Sequence, residues 1–316
     1  MENMGELDSA KEVKDRPRNF SISTLLEVQA ESVVRQNEDT FLLKENGQYI
    51  LAAVADGGSA LSSFTTVSGT EKFSGLFVSG AVTAYLEKEF GKSNSAAELL
   101  TNANDYVKDL LLARGVDPEE ASAMELPTAS GVSIILIDKK SQTAKIAQVG
   151  DSAVLVDDGD RIRLAIPFEM PHFDNLAFAV AERLSREKRI SYKAALEDEE
   201  VGQLFIKSRL FENETDDKGS GAVNGKKGFS KYLRSITIPL SGVRSIAVLS
   251  DGMYLPTEDF TLTPDWKRMM QFMESEGLDG LYREVTKLKN EDPEFMKFPR
   301  AKKHDDAAGI LLKITT

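Results

Sequence analysis

The sequence predicts an α+β layered fold, and three observations predict it. Strand signals come in antiparallel blocks, pairs of helical patterns separate those blocks, and turn-length connections join the strands within them. A doubly wound parallel sheet would need a long crossover between successive strands, and the blocks leave no room for one.

The first block is a hairpin. Thr40 to Lys44 and Tyr49 to Ala55 are apolar runs around Glu45-Asn46-Gly47-Gln48, and Asn-Gly suits a tight turn. Gly57-Gly58-Ser59 follows, then a Ser/Thr-rich stretch from Ser62 to Thr70. Helices are predicted over Gly80 to Phe90 and Ser95 to Ala113, the second opening on the capping box Ser95-Ala-Ala-Glu98. Asp117-Pro118 reads as the start of a further short helix. A β-meander comes next: Val132 to Ile137, Ala144 to Val149, Ala153 to Val156 and Arg161 to Ile166. Helical patterns recur over Asp174 to Lys188 and Ser191 to Glu200. Asp216 to Gly228, rich in Gly, Lys and Asp, reads as an exposed loop without fixed structure. Strands follow over Tyr232 to Leu240 and Arg244 to Ser250. A helix from Thr263-Pro264 to Glu276 is stopped by Gly277, a second runs over Leu278 to Lys289, and Gly309 to Ile314 is the closing strand. Residues 1–18 are polar and read as a mobile tail; residues 19–316 read as one domain with a flap around 160–245.

Composition narrows the function. The chain has 316 residues, 41% hydrophobic and 28% charged, the balance of an ordinary soluble globular protein. No apolar run reaches the roughly 18 residues of a membrane helix, so no membrane partner is expected. Cysteine is absent, which removes disulfides, thiolate zinc sites and a cysteine nucleophile together, and points to a cytoplasmic setting. A net charge of −12 repels nucleic acid and favours cations.

One local pattern recurs three times. An apolar run enters an aspartate followed by a small residue at Asp56-Gly57, Asp151-Ser152 and Asp251-Gly252. A fourth acidic pair, Asp305-Asp306, directly precedes the final strand. Carboxylates gathered at one edge of a sandwich would repel one another unless cations lay between them. Oxygen-only ligands select hard ions such as Mg²⁺ or Mn²⁺, and only His172 and His304 could serve a zinc site. Asp-Gly and Asp-Ser are also ordinary turn sequences, and the pattern by itself leaves both readings open.

Asn37-Glu38-Asp39, Val54-Ala-Asp56-Gly57, Val149-Gly-Asp151-Ser152, Leu249-Ser-Asp251-Gly252 and Asp305-Asp306-Ala307 occur in the order found in protein phosphatase 2C-type enzymes. The chain resembles that family over roughly residues 20–316. The resemblance implies a four-layer α-β-β-α sandwich with two antiparallel sheets. It also implies two Mn²⁺ or Mg²⁺ ions, a third in many members, and hydrolysis of phosphoserine or phosphothreonine in protein substrates by a bridging hydroxide. By position, Asp56 would bridge the ions, Asp251 and Asp305 would complete one shell, and Glu38 with the Gly57 carbonyl would serve the other. Asp151 matches the ligand of the third ion, Asp39 would order ion-bound waters, and Arg35 would grip the phosphate. Asp306 stands where asparagine is common and is the alternative ligand to Asp305. Further departures are Gly58-Ser59-Ala60 after the first motif, Ala153 for an arginine, and Ser130-Gly131-Val132-Ser133 for a threonine pair. A catalytically silent scaffold and a small-molecule phosphomonoesterase are the rival functions; retention of Asp56, Asp251 and Asp305 speaks for activity.

Other residues are set aside. His304 reads as exposed in the basic loop Arg300-Ala-Lys-Lys-His304, and His172 receives no role. Gly219-Ser-Gly221 and Gly225-Lys226-Lys227 lack the spacing of a phosphate loop. Trp266, Met269, Met270 and Met273 fall on one helical face and read as core.

Overall fold

The computed structural model describes residues 18–27, 37–58, 73–126, 130–168, 170–258 and 263–315. Of the tail expected over 1–18, only Arg18 is described, and its guanidinium donates to the Leu240 carbonyl. In chain order the first elements are strands β1 (Asn19–Glu27), β2 (Thr40–Glu45) and β3 (Tyr49–Gly57), then helices α1 (Gly75–Glu89) and α2 (Ala96–Leu112). The meander follows as β4 (Ser130–Asp138), β5 (Thr143–Val149), β6 (Ala153–Asp157) and β7 (Ile162–Leu164). Helices α3 (His172–Lys188), α4 (Tyr192–Leu196), α5 (Glu199–Leu210) and α6 (Phe229–Tyr232) precede β8 (Arg234–Pro239) and β9 (Ser245–Leu249). Helix α7 (Trp266–Asn290) and β10 (Ala307–Thr315) complete the chain.

The strands form two five-stranded antiparallel sheets, ordered β2-β3-β4-β5-β8 and β1-β10-β9-β6-β7. Alternation along β3 shows why the sheets stack. Ile50, Ala52 and Val54 face the second sheet with Ile135, Ile146, Val154, Ile246, Val248 and Ile310. Leu51, Ala53 and Ala55 point the other way, into α1 and α2, against Val82, Leu86, Leu100 and Val107. Both faces of the strand are buried, so its run is apolar throughout rather than alternating. On the far side Met269, Met270, Met273 and Leu281 of α7 pack on Leu155, Ala247, Leu249 and Leu311. The result is the four-layer α-β-β-α sandwich. Helices α3–α5 build a separate apolar cluster around Phe178, Tyr192, Val201 and Phe205.

Local signals act as their chemistry directs. In the β2–β3 hairpin Asn46 Oδ1 accepts from the Gln48 and Tyr49 N–H groups at 2.9 and 2.7 Å. At α2, Ser95 Oγ accepts the Glu98 N–H at 3.2 Å, but Glu98 turns to Ser93 Oγ at 2.7 Å, so half of the capping box forms. Gly277 does not end a helix and start a loop; its φ of 75° kinks α7, and the chain resumes helix at once.

Several expectations change. Asp117-Pro118 lies in turns rather than a helix, and the single helix expected over Ser191 to Glu200 is α4 followed by α5. Strand β1 has little pattern to read: Phe20 and Ile22 turn between the sheets, Leu25 turns to the other face beneath α7, and the strand pairs with β10. The segment 216–228 is not an exposed loop throughout: Ala222, Val223, Asn224 and Lys226 are buried. Asn213, with φ at 59°, holds it by donating from Nδ2 to Ala222 O at 2.6 Å and Asn224 Oδ1 at 2.7 Å. Its Oδ1 accepts from the Ala222 N–H at 3.2 Å. Lys226, once weighed as a phosphate-loop residue, ion-pairs with Glu214 at 2.8 Å.

Because Asn213 satisfies three buried polar groups and tolerates a left-handed backbone, Asn213→Ala is expected to destabilise by about 2–4 kcal/mol in urea denaturation. A change under about 0.5 kcal/mol would show that the segment is held by other contacts.

Candidate active site

Four aspartates reach one end of the sandwich from chain-distant segments. Asp56 is the last residue but one of β3, on the face shared with Ile50, Ala52 and Val54, and so points between the sheets. Asp151 lies in the link from β5 in one sheet to β6 in the other. Asp251 opens the single 3₁₀ turn after β9, and Asp305 lies two residues before β10. All four are half-buried and line a single cavity of about 920 Å³.

The glycines of the Asp-Gly pairs have a packing reason. A Cβ on Gly57 would overlap the Glu38 backbone carbonyl, and one on Gly252 would overlap the Asp306 carbonyl. Each glycine therefore lets the next acidic segment lie directly on a strand end. Gly131 acts similarly, since a Cβ there would overlap Asp151 Oδ1. That is the physical content of the Ser130-Gly131 departure. Ala153, in the family's arginine position, is buried in the core beneath α7.

Glu38, Asp39 and Asp306 form a buried tier behind the cavity, 8, 2 and 4% exposed. Glu38 Oε1 accepts the Gly75 N–H at 3.2 Å, taking the capping place at α1 that Ser74 leaves unfilled. The Glu38 N–H in turn donates to Asp306 Oδ2 at 2.8 Å. Asp39 Oδ1 accepts the Gly57 N–H at 3.2 Å, while its buried Oδ2 has no hydrogen-bond partner. Between the two adjacent aspartates, Asp305 faces the cavity and Asp306 ties the backbone of Glu38. Gly57 is buried beside Glu38; Arg35 lies outside the described residues.

Charge crowding sets the electrostatics. Burial, then Asp39 and Asp251, push the Asp56 carboxyl well above the ordinary range. Burial and Asp305 push Asp251 up to about 7, and Asp39 is driven up by the same two causes. Asp151 rises through burial, with the charge of Asp174 adding to it. A local donor relieves part of the repulsion: the Asp251 N–H reaches Asp56 Oδ2 at 3.1 Å. Tyr254 donates its hydroxyl to the Asp151 backbone carbonyl and so fixes the Asp151 turn.

Lys302 supplies the remaining relief. Its ammonium lies 2.6 Å from Asp305 Oδ1, and although burial opposes its charge, Asp305, Asp251 and Asp56 raise its pKa. Sequence reading passed over it as one member of a basic loop, although a lysine three residues before an Asp-Asp pair was the available signal. His304 is also corrected: it is 8% exposed, and Nε2 lies 2.9 Å from Asn290 Oδ1. Burial, then Lys289, pull its pKa down to about 4, so at neutral pH the ring is uncharged and is not the imidazolium that a general acid would need. The same cavity is also lined by Phe168, Phe178, Phe205 and Tyr254, with Asp174 and Arg209 among them. Tyr254 stands edge-on to Trp266 at 5.1 Å.

Among the described residues no group of three or more Asp, Glu or His side chains is arranged so that it could hold an ion as it stands. The donor set nevertheless fits a hard divalent ion: every side-chain donor is a carboxylate oxygen, the carboxyls repel one another, and Asp39 Oδ2 is buried without a partner.

The raised carboxyls give a pH dependence with a definite sign. Asp251 holds its proton more tightly folded than unfolded, so the folded state binds more protons between about pH 4 and 7. Stability in EDTA is expected to fall by on the order of a few kcal/mol as pH rises through that window, and Asp251→Asn should flatten the slope. Urea midpoints measured across it check this, and midpoints that climb with pH would contradict it.

Comparison with known proteins bears on the fold and the family. Among solved structures, RsbX in complex with magnesium is 11% identical, with a TM-score of 0.50 over 96% of this chain and 98% of its own. A bacterial serine phosphatase is 14% identical, with a TM-score of 0.52 over 94% of this chain and 99% of its own. The Mycobacterium tuberculosis serine/threonine phosphatase PstP/Ppp is 13% identical, with a TM-score of 0.51 over 94% and 99%. At such identities these likenesses speak for the fold. No curated protein matches the chain. The model of the protein phosphatase 2C family matches residues 31–289, and the chain belongs to that family.

Proposed function

We propose that this protein hydrolyses phosphoserine or phosphothreonine in protein substrates with the help of two Mn²⁺ or Mg²⁺ ions, and a third more weakly held. The observation that carries the reading is the meeting of Asp56, Asp151, Asp251 and Asp305 on one cavity wall from four separate strand ends. Family membership supports it.

Asp56 would bridge the two ions, with Asp251 and Asp305 on one side and Glu38 with the Gly57 carbonyl on the other. Asp151 would hold the third. When bound, such ions lower the pKa of a water and neutralise phosphate oxygens during in-line attack. The chain supplies the rest. Asp39, buried behind the Gly57 N–H, would order waters at the site, and Arg35 would grip the phosphate. The rings of Phe168 and Tyr254, edge-on to each other at 6.2 Å, line the cavity and would limit water there. Helices α3 and α5 form the wall against which the substrate chain would lie, the part we assign to the flap. The described helices include none long and apolar enough to cross a membrane, and we read the setting as cytoplasmic.

One observation favours a second reading, a catalytically silent phosphatase-like binding protein. Lys302 already pairs with Asp305, and the described side chains do not close around an ion as they stand. A single experiment separates the two. With Mn²⁺, the purified protein is expected to turn over p-nitrophenyl phosphate and phosphopeptides, and to stop in EDTA. Asp56→Asn should lower the rate on the order of a thousandfold while circular dichroism stays unchanged, because the bridging charge is gone. Equal rates for Asp56→Asn and its parent would remove Asp56 from the chemistry; no turnover in either would favour the silent reading.

A further inference from the structure

We propose that Lys302 is a built-in counter-ion of the cavity, holding the place beside Asp305 and Asp251 that a divalent ion must take, so that ion loading proceeds by displacement of its ammonium. The inference rests on the ion-centre reading above and concerns its regulation.

Three observations carry it. The first is geometry. The Lys302 ammonium lies 2.6 Å from Asp305 Oδ1, three residues away on the loop that leads into β10. Asp305 is the member of the Asp305-Asp306 pair that faces the cavity, and Lys302, Asp56, Asp151 and Asp251 line the same wall. The second is occupancy by internal donors. Asp56 Oδ2 accepts the Asp251 N–H, Asp39 Oδ1 accepts the Gly57 N–H, Glu38 Oε1 accepts the Gly75 N–H, and Asp305 Oδ1 also accepts the Asp306 N–H at 3.0 Å. These are hydrogen bonds from neutral groups, whereas Lys302 brings a full positive charge onto Asp305. The third is confinement. The Lys302 and Asp305 side chains are 20 and 22% exposed, so solvent screens the pair only partly.

The physical consequence follows from charge. An ammonium and a divalent cation repel each other, and both draw on the same Asp305 oxygens. A bound ion at Asp251 and Asp305 therefore has to expel the ammonium or share the carboxylate with it, and either lowers affinity. In return, the ion-free protein keeps a cation among its crowded carboxylates and stays folded at low ion concentration. Lys289 lines the same cavity and adds a second positive charge nearby, within reach of the charges of Asp305 and Asp251. The displaced ammonium has room, since the cavity of about 920 Å³ opens beside it.

Mn²⁺ binding is measured by titration calorimetry, and melting temperature is measured in EDTA and in saturating Mn²⁺, for the full chain and for Lys302→Met and Lys302→Arg. Lys302→Met keeps the stem and removes the charge; Lys302→Arg keeps the charge. Lys302→Met is expected to bind Mn²⁺ at least about tenfold more tightly, about 1.4 kcal/mol, with Lys302→Arg within about threefold of the parent. In EDTA, Lys302→Met should melt below the parent, and Mn²⁺ should raise its melting temperature by more. Should Lys302→Met fail to fold without Mn²⁺, Lys302→Gln serves, with the same thresholds. Equal or weaker Mn²⁺ binding by the neutral variant overturns the role of Lys302 and leaves the ion centre standing. Lack of Mn²⁺ uptake by parent and variant alike overturns the ion centre itself, and with it this proposal.

Discussion

Mutual repulsion among carboxylates at one end of the two sheets is the constraint on which the remainder of this structure depends. Asp56, Asp151, Asp251 and Asp305 share a cavity wall, with Glu38, Asp39 and Asp306 packed directly behind. Seven acidic side chains in such a space are unfavourable unless positive or partly positive groups lie among them. The backbone supplies some of these as N–H donors from Gly57, Gly75, Asp251 and Asp306, and Lys302 supplies a charge. Burial first, and the charge of Asp305 after it, still hold Asp251 up at about 7. On the function proposed above, bound cations would supply the remaining positive charge.

The sandwich makes that concentration of charge possible. Buried strands anchor each aspartate within two residues of a strand end, and the apolar layers hold those ends where repulsion would otherwise part them. Gly57 and Gly252 then bring the Glu38 and Asp306 segments onto those ends, where side chains of any size would keep them apart. One structural logic thus explains why aspartate is followed by glycine in two of the motifs. It also makes Glu38 serve two purposes, as a carboxylate of the site and as the cap of α1.

Much of this was legible in the chain. The hairpin at Asn46-Gly47, the N-cap at Ser95, the strand-terminal aspartates and the methionine face of α7 are short-range signals, and each acts locally as its chemistry directs. Long-range compensation was not legible. The ion pair of Lys302 with Asp305 looks like part of a basic loop until the fold supplies Asp56 and Asp251 around it. His304 looked exposed because its neighbours are basic, yet α7 buries it against Asn290. The 216–228 segment was misread for a related reason: its Gly, Lys and Asp content suggests solvent, while Asn213 and Asn104 hold its backbone from outside the segment. Strand β1 escaped notice because an edge strand with two side chains turned between the sheets and one beneath α7 has too little pattern to stand out.

The most direct measurement is an anomalous difference map from crystals grown with Mn²⁺. The account predicts two strong peaks in the cavity, both touching Asp56, with Asp251 and Asp305 on one of them and the Lys302 ammonium moved away from Asp305. A map without a peak between these aspartates, and with Lys302 still on Asp305 at saturating Mn²⁺, would contradict it.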